Sequence, residues 1–227
     1  MKFGGVILLW LLLPAVILKG QTAPTQSADQ NSVGGPSIAF TRVWDDFTPQ
    51  SVTLTVSANG ATKYSSSNPV KTGDDVDEYM TEFTMSPACR NKLLRYAKEA
   101  NYFDGDFTFK KHVVASTGKK TLAYSDSTRH FTATYDYSEN KAIQEITGIF
   151  LGISNTIEHG RKLVFLRRFD KLGLEEELKA MENAAEGHNL AELQIIAPTL
   201  DSIAGDRTVL NIARQRAQKL LARANSE

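Results

Sequence analysis

The sequence predicts an α+β fold: an antiparallel sheet of about five to six strands packed by two helices, followed by a C-terminal helical unit of three or more helices. Three observations predict it. Apolar and polar residues alternate from Ile38 and Phe40 and again through Val52, Leu54 and Val56, with Thr53, Thr55 and Ser57 on the opposite phase. Asn59-Gly60 follows at once, and an Asn-Gly pair between alternating segments is a strong short-range hairpin signal. From Ser138 onward the apolar period changes from two to helical, and no strand signal returns.

The first twenty residues set the expected address. Lys2 precedes an apolar run from Val6 to Leu18, broken only by Pro14, and small Gly20 stands before Gln21, which predicts a signal peptide cut after Gly20. The run falls short of the ~20 residues a membrane-crossing helix needs, so an uncleaved inner-membrane anchor is the alternative. No Cys follows it to receive a lipid. The mature chain is expected to be periplasmic or secreted. Residues 21–36 are small and polar and end in Gly34-Gly35-Pro36, the composition of a flexible linker.

The α+β domain is assigned to residues 37–160. Val52–Ser57 is paired with Thr62–Ser65 through a type I′ turn at Asn59-Gly60. Ser66–Asp77, with Asn68-Pro69 and Gly73, reads as a loop, and Glu78–Met85 as a further strand. Ser86-Pro87 starts a helix over 87–101, because the Ser side chain caps free N–H groups and Pro at the first position sacrifices no hydrogen bond. Cys89, Leu93, Tyr96, Ala97 and Ala100 share its inner face. Phe107–Phe109 and Val113-Val114 suggest a short strand, and Thr121–Tyr124 with Phe131–Tyr135 a second hairpin. Ser138 opens a helix, 139–159, whose Ile143, Ile146, Phe150, Ile153 and Ile157 recur at helical spacing up to Gly160.

Residues 161–227 form the helical unit. Leu174, Leu178, Met181 and Ala185 mark one helix ending at Gly187. Asn189 with Glu192 resembles a capping box for a helix over 189–204, where Pro198 should kink the helix or shorten its start. Asp206 is expected to cap a last helix, 206–224, carrying Val209, Ile212, Ala213, Ala217, Leu220 and Leu221.

Charge and chemistry narrow the function classes. Of 227 residues about 207 remain after cleavage, and the loss of Lys2 and Lys19 leaves 24 basic against 26 acidic residues. A chain without a cationic surplus is not a nucleic-acid binder. Cys89 is the single cysteine, so no internal disulfide forms, and its place on the inner helix face predicts a buried, inert thiol. His112, His130, His159 and His188 lack metal-ligand spacing, and Asp74, Asp75, Asp77 and Glu78 match no calcium loop. Gly118-Lys119-Lys120 lacks the earlier Gly and the Ser or Thr of a phosphate loop, and Gly152-Ile153-Ser154 lacks the second Gly of a nucleophile elbow. Asp104 and Asp106 have no partner that sequence brings to them. No cofactor, metal site or catalytic residue is therefore assigned.

Two basic stretches remain. Arg161, Lys162, Arg167, Arg168 and Lys171 alternate with Leu163, Phe165, Leu166 and Phe169, a pattern for anionic lipid headgroups or an acidic partner as well as for an ordinary solvated face. Arg207, Arg214, Arg216, Lys219 and Arg223 dominate the last helix and form the candidate interaction surface.

The order IAFTRV, SVTLTVSANGATKY, SPACRNKLLRYAKEANYF, second hairpin and helix resembles an uncharacterised family of exported bacterial α+β domains over about residues 37–160. Many members carry Gly-x-Cys-Pro just before the hairpin, where this chain has Phe47-Thr48-Pro49-Gln50. The Pro matches and the Cys is absent, so the thiol chemistry of that motif is not carried over. The resemblance implies fold and location and no activity. The expected function is a non-catalytic envelope binding or protein-interaction module, its partner another envelope protein or an acidic surface. The alternative is an envelope hydrolase whose site assembles only in three dimensions.

Overall fold

A computed structural model describes residues 35–69 and 76–226. The expected signal peptide, nearly all of the expected linker, and Asp74 and Asp75 lie outside the described residues. The fold is α+β, and among the described residues six strands form one antiparallel sheet of order β4-β3-β2-β1-β5-β6. The strands are β1 (Ser37–Val43), β2 (Ser51–Ser57), β3 (Ala61–Pro69), β4 (Val76–Thr84), β5 (Lys119–Ser125) and β6 (His130–Tyr135). Among the described residues five α-helices follow the chain order as α1 (Pro87–Glu99), α2 (Lys141–Phe169), α3 (Gly173–Glu186), α4 (Ala197–Gly205) and α5 (Asn211–Ala224).

Period-two alternation gives the sheet one apolar face. Ile38, Phe40, Val52, Leu54, Val56, Tyr64, Leu122 and Tyr124 are buried in one core with Cys89, Leu93 and Ala97 of α1 and Ile143, Ile146, Phe150, Ile153 and Ile157 of α2. The rings of Phe40 and Phe150 stack at 5.1 Å. The opposite phase stays half-exposed, with Thr41 beside Thr53 and Thr121 beside Thr134 in cross-strand pairs.

The β2–β3 hairpin forms where Asn59-Gly60 places it, but by another turn. Gly60 alone has positive φ, +90°, and its N–H donates to the Ser57 carbonyl at 2.9 Å. This is a three-residue connection ending in a left-handed glycine, not a type I′ turn. The expected loop over Ser66–Asp77 is shorter than predicted, because β3 runs to Pro69 and Ser66, Ser67 and Asn68 pair with Tyr79, Glu78 and Asp77. The strand expected at Phe107–Phe109 and Val113-Val114 does not form: the Phe109 N–H bonds only the Tyr137 carbonyl, and Val113 is almost fully exposed.

Helix α1 starts as the Ser-Pro pair dictates, with the Ser86 hydroxyl accepting from the Cys89 N–H at 3.1 Å. Cys89 is buried, and burial followed by the charge of Glu192 pushes its thiol up to about 12. Native protein at pH 8 is therefore expected to alkylate with iodoacetamide about a thousandfold more slowly than urea-unfolded protein. Equal labelling rates before and after unfolding would contradict the burial.

Helix α2 begins at Lys141, with Asn140 rather than Ser138 as its cap, and does not stop at Gly160. It runs on to Phe169 and carries two cores on one rod. Residues up to Ile157 belong to the sheet core. Leu163 and Leu166 belong to a second cluster with Leu178 and Met181 of α3, Leu200 and Ile203 of α4 and Ala213, Ala217 and Leu220 of α5. Gly160 is a contact surface: a Cβ there would lie 2.3 Å from Ile196 Cγ2. Gly152 has the same role nearer the start of the helix, where a Cβ would lie 3.2 Å from the Ala191 backbone nitrogen.

The helix expected over 189–204 is split. Glu192 has φ +57°, which bars a continuous helix, so a 3₁₀ turn (Leu193–Ile196) precedes α4 and Pro198 sits in its first turn. The capping-box role of Glu192 is not realised, because its carboxylate accepts instead from the Ser86 N–H (2.7 Å) and hydroxyl (2.6 Å) of α1. Asp206 does not cap α5 either. Its carboxylate accepts from Thr208 in a turn, and the helix starts beyond it at Asn211.

Candidate functional site

The polar groups that converge do so at the end of the sheet where β1 passes into β2. Strand β1 alternates Ile38, Phe40, Arg42 on its buried phase, so a cation takes the last inward position. Its cross-strand neighbour on β5 is Lys120, on the same phase as Leu122 and Tyr124. Both cations are only 4% exposed. Burial lowers the pKa of each, and in each case the pull of nearby acids, Glu158 for Arg42 and Asp136 for Lys120, only partly offsets it. Lys120 is held by the carbonyls of Thr117, Gly118 and Asp136 at 2.8–3.0 Å, which gives the Gly118-Lys119-Lys120 segment a structural task. Arg42 donates to the Pro49 carbonyl at 2.8 Å and lies 4.5 Å from the centroid of the Phe47 ring, while its Nε has no partner.

The 44–50 connection folds over this cation. Trp44 donates to the Gln50 carbonyl at 2.8 Å, and the Trp44 and Phe47 rings stack at 5.0 Å. Opposite stands α2. Glu158 accepts from the hydroxyls of Tyr64 and Ser66 of β3, each at 2.6 Å, and Tyr64 also meets the Ser154 hydroxyl at 3.3 Å. Burial, then the Glu158 charge, raises the Tyr64 pKa far above its ordinary value, so the phenol is a fixed donor. Arg161 grips both oxygens of Asp77 at 2.7 and 2.9 Å and lies over the Tyr79 ring.

Helix α3 completes the wall with Glu177, which is 4% exposed. It accepts from His159 Nδ1 at 2.6 Å and pairs with Lys162 at 2.5 Å. Burial alone would raise its pKa, and the two donors outweigh that and hold it below the usual range. Between these walls lies a cleft of about 660 Å³, with Phe47, Pro49 and Phe165 as apolar lining and Asn68 and Asn155 as amides. It offers alternating donors and acceptors beside aromatic surface, a binding chemistry. Among the described residues no three His, Cys, Asp or Glu side chains gather in a way that would hold a metal ion.

Of the residues singled out by sequence, Asp77, Ser154, His159, Arg161, Lys162 and Phe165 line the cleft, whereas the five cations of the expected interaction surface land elsewhere. Arg216 bonds Glu175 at 3.1 Å and pairs closely with Glu182, Lys219 faces Glu182 and Glu186, and Arg223 donates to the Ala185 carbonyl at 2.7 Å. Arg214 donates to the Ala204 carbonyl at 3.0 Å, and Arg207 is exposed in the α4–α5 turn. Three of these five cations, Arg216, Lys219 and Arg223, thus reach from α5 to α3. Ser154 lies within α2 and lines the cleft, whereas Asp106 pairs with Lys110 on the surface, apart from it. Arg42, Glu158, His159 and Glu177 were not assigned from sequence. The charge on the apolar phase of β1 was the signal for Arg42, whereas Glu158 and Glu177 become neighbours of their partners only through the packing of α2 on β3 and α3.

Comparison with protein-family models and with curated proteins finds no match for the chain.

Proposed function

We propose that this chain is an exported envelope protein that acts as a non-catalytic binding module, with the cleft between the 44–50 connection, β3, α2 and α3 as its binding site. The observation that carries this reading is the wiring of the cleft. Its ionisable groups are held by one another, Glu158 by Tyr64 and Ser66, Asp77 by Arg161, Glu177 by His159 and Lys162. Such a surface is rigid and ready to exchange hydrogen bonds with a ligand. It is poorly suited to hydrolysis, since the Ser154 hydroxyl is shared with Tyr64 and not with His159. The second reading, an envelope hydrolase, rests on His159 alone: with Nδ1 held by a buried carboxylate, its other ring nitrogen has the orientation of a general base.

A photo-crosslinking amino acid at Lys162, on the cleft wall, is expected to trap one envelope component in living cells that the same probe at Lys98 on α1 does not trap. His159→Ala is expected to leave that adduct detectable, and the purified chain is expected to leave ester, amide and phosphoester reporters intact. Turnover of one of these reporters that disappears in His159→Ala would replace the binding reading with the hydrolase.

A further inference from the structure

The C-terminal end of α2 leaves a row of large apolar side chains in solvent. Val164, Phe165, Phe169 and Leu172 are 56, 57, 65 and 73% exposed, and the rings of Phe165 and Phe169 lie 5.0 Å apart. Single exposed apolar residues are ordinary, but four within nine positions at one helix end form a patch that water does not favour. Beside them lies a groove of about 500 Å³ between α2 and α4, lined by Val164, Arg167, Arg168, Lys171, Pro198 and Asp206. Its charge is unbalanced. Arg167 and Lys171 share the one carboxylate of Asp206, at 3.6 and 3.1 Å, and Arg168 makes no ion pair among the described residues, its guanidinium lying over the Phe169 ring. The carboxyl of Asp206 is held far below its usual range by Thr208 and Lys171, so it stays ionised and the groove keeps a surplus of cations.

We infer that this corner docks on an anionic bilayer surface, with Phe165, Phe169 and Leu172 entering the boundary between headgroups and acyl chains and Arg167, Arg168 and Lys171 meeting lipid phosphates. Two features single out this occupant. Cations and aromatic side chains interleaved on one helix end match the interfacial layer, where anionic headgroups lie directly above apolar chains. An acidic protein partner would satisfy the cations and leave the phenylalanines uncovered. The docking is peripheral, since among the described residues no helix is long and apolar enough to cross a membrane.

The test reads the corner itself, so that any membrane contact made elsewhere along the full chain does not decide it. A nitroxide is placed by Leu172→Cys in one preparation and by Glu99→Cys on α1 in another, the native Cys89 thiol being buried. Each is mixed with vesicles of phosphatidylcholine alone and of phosphatidylcholine with phosphatidylglycerol in equal amounts, at low protein-to-lipid ratio. The Leu172→Cys label is expected to enter about 5–10 Å below the headgroup level in the anionic vesicles, seen as faster collision with oxygen than with an aqueous nickel chelate. The Glu99→Cys label stays aqueous. Adding Arg168→Glu, which changes the local charge by two, should shift the docked-to-undocked ratio about thirty-fold toward undocked. An aqueous Leu172→Cys label in both vesicles overturns the inference. So does a label shielded only at high protein density and equally in both lipids, which would mark contact between copies of the chain.

Discussion

Gly160→Ala is expected to destabilise the protein by about 1–3 kcal/mol, whereas Gly148→Ala in the same helix is expected to stabilise it by about 0.5–1 kcal/mol. The chemistry of the two changes is identical. Ala is the better helix former because glycine surrenders more backbone entropy, and at Gly148 nothing lies within 4 Å of the added methyl group, so that gain is realised in full. At Gly160 the methyl would stand 2.3 Å from Ile196 Cγ2 and 3.3 Å from its Cβ. A β-branched side chain held in a buried 3₁₀ turn has one comfortable rotamer, so the turn itself must move. That turn leads into α4, and the whole second core shifts with it. Urea denaturation of both variants checks the sign. A Gly160→Ala protein as stable as Gly148→Ala would show that the second core is loose enough to absorb a methyl group, and that α2 does not hold the two cores in register.

The same glycine shows what sequence could and could not say. Apolar spacing from Ile143 to Ile157 predicts α2, and glycine at 160 suggests its end because glycine is common after a helix. Whether a glycine stops a helix or lets another segment approach depends on what lies across from it, here Ile196, thirty-six residues away. Helix caps divide on the same line. Ser86 caps α1 because its acceptor work is local, within three residues. The spacing of Glu192 to Asn189 suggests a local cap, but its partner is Ser86, which no local rule connects to it. Strand alternation is legible in β1, β2, β5 and β6 but not in the polar end of β3, and it also holds a further message. Arg42 and Lys120 fall on buried phases between apolar neighbours, and a cation in such a place is costly unless the fold builds partners for it. Those partners, the carbonyls at Pro49, Thr117 and Gly118, belong to loops whose paths no periodicity specifies. Of the two buried cations only Arg42 lines the cleft, and although sequence also names Asp77, His159, Arg161 and Lys162, no local rule brings them together with it.

Glu192→Ala is expected to cost about 2–4 kcal/mol, although no core volume of consequence is lost. The residue is 6% exposed, and its carboxylate accepts from the Ser86 N–H, the Ser86 hydroxyl and the Gln194 side-chain amide. Hydrogen bonds to a charged group are stronger than neutral ones, and here three donors lose their acceptor together. The Ser86 hydroxyl must keep its bond from the Cys89 N–H to preserve the start of α1, so the Ser86 N–H has no ready substitute and is left without an acceptor. One relief works the other way. The backbone at 192 is left-handed, which neither Glu nor Ala adopts easily, so Glu192→Gly removes the carboxylate without that strain and should cost about 1 kcal/mol less than Glu192→Ala. Glu192→Gln, which keeps an acceptor oxygen without the charge, should fall between the native protein and Glu192→Ala. This ordering separates the mechanism from a general loosening, since Gly would be the worst of the three if rigidity at this turn were all that mattered. The thiol provides a second reading: with the Glu192 charge gone, one of the forces raising the Cys89 pKa disappears, and alkylation of the folded protein should quicken. A cost below about 1 kcal/mol together with an unchanged alkylation rate would mean that water already reaches this carboxylate, and that the helical unit is not fastened to α1 through it.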